Sequence, residues 1–81
     1  RVVAYYKALR EPTLEETRLL KVLEAAMGEG RWCYLWDVWD LWRRTYGDVE
    51  YEHLEVLAQR LAAKGLISVR REGPLLLIEQ Y

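Results

Sequence analysis

Residues 49–67, VEYEHLEVLAQRLAAKGLI, constrain the fold more than any other stretch, because they read as one helix that buries a single apolar stripe and then turns straight into a strand. At about 100° per residue, Leu54, Leu57, Ala58 and Leu61 fall in one arc, while Glu52, Glu55, Gln59 and Ala63 fall opposite. Such a helix needs other elements to cover its stripe. Gly65 supplies the permissive backbone on which helices end, residues 66–71 restart with strand-like composition, and Glu72-Gly73-Pro74 reads as a turn before the apolar run Leu75-Leu76-Leu77-Ile78. The unit is helix, glycine stop, hairpin. An unbroken apolar run in the last strand implies burial on both of its faces or cover by another chain.

With 81 residues there is room for one domain, near the size at which a lone apolar core barely offsets chain entropy, so most apolar positions must be committed to that core. The single cysteine, Cys33, cannot form an internal disulfide and is far short of a zinc set. It reads as a packed small residue rather than a reactive thiol, and a reducing, cytoplasmic setting is expected. No apolar run is long enough to span a bilayer, so no membrane partner is expected. The formal net charge of −1 runs against the basic surplus typical of an independent nucleic-acid binder. The sequence lacks asparagine and has one methionine and one cysteine, the low amide and sulfur content expected of a protein from a hot environment.

Residues 1–12 form an N-terminal extension whose Val2, Val3, Tyr5, Tyr6 and Leu9 suit a short helix or an irregular strand equally. Thr13 and Glu16 have the spacing of a capping box, which predicts a first helix over residues 14–27 with Leu19, Leu20, Leu23, Ala26 and Met27 on its inner face. Gly28-Glu29-Gly30 ends it. Residues 31–34, Arg-Trp-Cys-Tyr, suit a small first strand that pairs with the later hairpin. A second helix is expected over residues 35–46, with Leu35, Val38, Trp39, Trp42 and Tyr46 on its core side. Asp48-Val49 then leads to the third helix, residues 50–64, and the hairpin occupies residues 66–79.

Over residues 35–78 this order of helix, tight turn, helix, Gly65-Leu66-Ile67 and hairpin resembles the winged helix-turn-helix of small prokaryotic transcription regulators, the MarR-like group among them. The resemblance implies an α+β, mainly α fold, with a three-helix core and a C-terminal β-hairpin wing. It also implies a non-enzymatic protein that binds double-stranded DNA in transcription or genome maintenance. In that family the third helix enters the major groove, and its exposed early positions carry small polar or basic side chains. Here those positions are Glu50, Tyr51, Glu52, His53, Glu55 and Val56. Carboxylates at a helix N-terminus stabilise its dipole, yet docked in a groove they would approach a polyanion.

Two functional expectations follow. In the first, double-stranded DNA is held by Arg70 and Arg71 on the wing, anchoring phosphates, and by Gln59 and Arg60 on the third helix. In the second, the same fold is an interaction or dimerisation module that does not bind DNA. Its acidic third helix, with Glu52 and Glu55, or an edge made by Trp36, Leu41 and the last strand, would hold a protein partner or a second copy. Trp32, Trp36, Trp39 and Trp42 crowd into eleven residues, with Trp39 and Trp42 on the core stripe and Trp36 at its margin. His53 is the sole histidine and reads as a solvated residue among carboxylates. No nucleophile with a matching base, metal-ligand spacing or phosphate loop is present in the sequence, so no enzyme activity, cofactor, metal or small-molecule substrate is expected.

Overall fold

The Thr13 hydroxyl accepts a hydrogen bond from the Glu16 amide at 3.2 Å, and the Glu16 carboxylate accepts one from the Thr13 amide at 3.1 Å. This reciprocal cap starts helix α1, Leu14–Met27, in the computed structural model, which describes residues 12–80. The expected N-terminal extension lies outside the described residues except for Pro12. Strand β1, Trp32–Tyr34, runs directly into α2, Leu35–Thr45. Helix α3 follows over Tyr51–Ala63, with Glu50 and Lys64 as its caps rather than its ends. The hairpin is β2, Ile67–Glu72, and β3, Leu75–Gln80. Gly47 (φ 104°) and Gly65 (φ 78°) turn the chain out of α2 and α3 through backbone conformations that cost an L side chain more. Among the described residues the result is the α+β layout of a winged helix: three helices against one antiparallel sheet.

The sheet order is β1-β3-β2, so the last strand is the central one, hydrogen-bonded on both edges. The central position leaves β3 no free strand edge to serve, with Trp36 and Leu41, as the expected partner surface. Burial on both faces explains the apolar run, because Leu76 and Ile78 join the helical core while Leu77, pointing the other way, is buried outside it. Cys33 pairs with Ile78 and enters the core from β1.

Leu54, Leu57, Ala58 and Leu61 of α3 are buried, as the helical spacing predicts, and meet Leu19, Val22, Leu23 and Met27 of α1 and Leu35, Val38 and Trp42 of α2. Each fully buried leucine contributes about 1.5–3 kcal/mol relative to exposure. Leu20 and Ala26 only border this core. Tyr46 corrects the predicted core stripe of α2. The helix stops at Thr45, so Tyr46 becomes its cap and lies exposed against the Trp42 ring at 5.0 Å, with the Arg18 guanidinium over it at 5.2 Å.

Among the described residues one charged side chain is buried, Glu16, at 1% exposure. Its Oε2 accepts from the Thr13 amide and lies 2.5 Å from Lys64 Nζ, tying the start of α1 to the end of α3. His53, expected to be merely solvated among its own helix's carboxylates, instead pairs with Glu15 of α1, its Nε2 2.6 Å from Glu15 Oε2.

Candidate interaction site

The turn between α2 and α3 is fastened by Trp39, whose indole N–H donates to the Val49 carbonyl at 2.8 Å. Arg43, one helical turn on, lies over the Trp39 ring at 4.9 Å and reaches Asp48 at 3.7 Å. Trp39 is therefore half-buried and fully engaged. Trp36 precedes it by three residues and stands against it edge to face at 5.0 Å. From α3, Tyr51 completes the group, 5.9 Å from Trp36 and 5.8 Å from Trp39. Trp36 remains 55% exposed, which leaves a large apolar ring at the surface, held rigid from behind by two others.

The electrostatics around this cluster are set by α3 and the wing. Tyr51 is raised above the ordinary tyrosine range by its partial burial and then by the Glu55 carboxylate, while the Arg71 guanidinium pulls it back. Glu55 and Arg71 thus both act on the same ring. Glu52 is exposed beside Tyr51, and Glu50 caps the helix without a side-chain hydrogen bond. The surface is aromatic at its centre and acidic along α3.

Of the residues expected to contact DNA, Gln59 and Arg60 are exposed on α3. Arg60 lines a shallow groove with Leu14, Glu15 and His53, apart from the aromatic cluster. Arg70 and Arg71 do not act as a pair, since Arg70 aligns with Leu77 on the outer face of the sheet and Arg71 with Leu76 on the inner face. Arg70 is held by Glu72 and Glu79, each at 3.3 Å. Arg71 and Arg60 have no ion-pair partner among the described residues. On α2, Arg44 is paired with Asp40 at 3.0 Å.

Of the residues expected to hold a protein, Trp36 and Leu41 do not form one edge. Leu41 packs partly buried against the core and lines a separate hollow with Lys21, Val22 and Ala25 of α1, whereas Trp36 faces α3. Glu52 and Glu55 follow Tyr51, the α3 residue that meets Trp36, by one and four positions. The residue missed in the sequence is Tyr51, whose place beside Glu52 in a helical run gave no sign that it would bridge two tryptophans.

A second aromatic feature was also missed. On the outer sheet face Trp32 and Tyr34 meet edge to face at 5.3 Å, and with Leu77, Arg70, Glu72 and Glu79 they line an open hollow of about 230 Å³. Strand alternation is the signal that could have found it. Cys33, between them, faces inward, where burial first and Asp37 second push its thiol up to about 12. Among the described residues no group of three His, Cys, Asp or Glu side chains is placed to hold a metal ion, and no helix is long and apolar enough to cross a membrane. Comparison of the chain with family models, with curated proteins and with solved structures finds no match.

Proposed function

We propose that this chain is a protein-interaction module built on a winged-helix layout, and that its working surface is the Trp36–Tyr51 cluster with the acidic side of α3. The observation that carries this reading is the chemistry of the helix that would otherwise enter a DNA groove. Its early turns present exposed Glu52 and partly buried Glu55 on the helix whose Tyr51 meets a half-exposed indole. B-DNA carries about one negative charge per 1.7 Å of axis, so those carboxylates would be pressed against like charge where a reading helix needs donors. On the wing only Arg71 is left to compensate, because two carboxylates already hold Arg70. An exposed tryptophan backed by other rings has the features of an interface anchor: large area, little conformational entropy to lose and a polar rim.

A double-stranded DNA reading, in transcription or genome maintenance, has one observation in its favour: Arg60 of α3 and Arg71 of the wing have no ion-pair partner among the described residues, and Gln59 of α3 is exposed. Binding to a labelled random duplex at low salt separates the two. The interaction reading expects no saturable binding by the natural chain and a gain of binding on changing Glu52 and Glu55 together to lysine. Saturable binding by the natural chain, lost on Arg60→Ala or Arg71→Ala, would overturn it in favour of DNA.

A further inference from the structure

We infer that the partner of this surface is a cationic polypeptide segment, with an arginine side chain laid on Trp36 and its charge met by Glu55 and Glu52. This inference deepens the interaction reading and rests on it. Two independent observations converge on a guanidinium. The aromatic cluster already accommodates one from its own chain, Arg43 over Trp39 at 4.9 Å, whereas Trp36 has no such cation above it among the described residues. The adjoining helix supplies the complementary charge, since Glu55 follows Tyr51 by one helical turn on the same face and Glu52 is exposed beside it. An indole face attracts a cation through its quadrupole, and a planar guanidinium can also stack on it. A neutral or acidic segment would leave those carboxylates without a partner or set them against like charge.

Arg71 gives the inference a signed test. It is an exposed cation on β2, the strand packed against α3, with no ion-pair partner among the described residues, so it repels an incoming arginine, whereas a phosphate backbone would be attracted to it. Removing it should therefore strengthen binding of a cationic segment and weaken binding of DNA.

The experiment titrates the chain with labelled oligoarginine, oligolysine and oligoglutamate peptides of equal length, with random duplex DNA as a fourth probe. Oligoarginine is expected to bind more tightly than oligolysine, and Trp36→Ala to weaken oligoarginine roughly fivefold and abolish that preference. Glu52→Gln with Glu55→Gln should weaken both cationic peptides and flatten their salt dependence, and Arg71→Ala should tighten both by about twofold. Because Trp36 is half exposed, Trp36→Phe serves as a second variant that keeps a ring, expected to fall between the two. Equal binding of arginine and lysine peptides, or no response to Trp36→Ala in a folded variant, overturns the arginine assignment. Preference for oligoglutamate, or no peptide binding, overturns the cationic partner while the interaction reading stands. Duplex binding that falls on Arg71→Ala overturns both.

Discussion

Replacing Lys64 with methionine keeps most of the side-chain volume and removes the charge that lies 2.5 Å from Glu16. Glu16 is 1% exposed and keeps the Thr13 amide as a donor, so the variant leaves a buried carboxylate with half of its support. Removing one partner of a fully buried pair costs about 3–5 kcal/mol. Lys64 is 19% exposed, so water reaches the pair from one side and the expected loss is nearer 2–3 kcal/mol, by the same reasoning. For a domain of this size that corresponds to roughly 10–20 °C in Tm. Urea denaturation followed by circular dichroism would measure it, with an unchanged m value showing that the folded surface is retained. Glu16→Gln keeps an acceptor for the cap and needs no counter-charge. Combined with Lys64→Met it should therefore cost less than the sum of the single changes by about 1 kcal/mol or more. A loss for Lys64→Met below about 0.5 kcal/mol, the range of ordinary surface substitutions, would mean that Glu16 is hydrated and that the tie between α1 and α3 is not a structural one.

Other outcomes follow from the same core. Leu54→Ala, at a fully buried position between α1 and the sheet, should lose about 2–5 kcal/mol in the same denaturation assay. Cys33 should resist thiol reagents at mildly alkaline pH until the chain is unfolded, because its thiol is buried and pushed up from 9.0 to about 12. That shift also carries a sign. The folded chain holds this proton more tightly than the unfolded one, so the contribution to stability is whole below pH 9 and is lost as pH rises through about 12. Replacing Cys33 with alanine should flatten that alkaline limb. Trp39→Phe removes the bond to the Val49 carbonyl and should cost about 1 kcal/mol or more, with the Tyr51 ring losing its fixed position in aromatic NMR spectra.

Much of this fold is written locally in the sequence. The α3 stripe follows from 3.6-residue spacing, the start of α1 from the reciprocal Thr13 and Glu16 cap, and β1 from a short β-compatible run beside glycine. Tyr46 marks where periodicity fails, because its angle on the helical wheel counts only if the helix reaches it, and Gly47 ends the helix first. The wheel also gives directions without neighbours. Trp36 and Leu41 both leave the central stripe, yet one turns to α3 and the other to α1. Arg70 and Arg71 were separable in principle, since adjacent strand residues point to opposite faces once the strand is accepted. The pairs His53 with Glu15 and Lys64 with Glu16 join residues 38 and 48 positions apart, and no local pattern encodes them. The candidate surface is of that kind: its carboxylates were legible, while the seating of Tyr51 between two indoles depended on the angle at which α2 and α3 meet.

The most direct measurement of the central claim, that the acidic and aromatic side of α2 and α3 holds protein rather than DNA, is residue-resolved NMR during titration with oligoarginine. The four tryptophan indole N–H signals are natural reporters, and that of Trp39 is already committed to Val49. The account predicts saturable shifts centred on the Trp36 indole and on the amides of Tyr51, Glu52 and Glu55. Shifts confined to Gln59, Arg60 and the wing, with Trp36 unmoved, would contradict it.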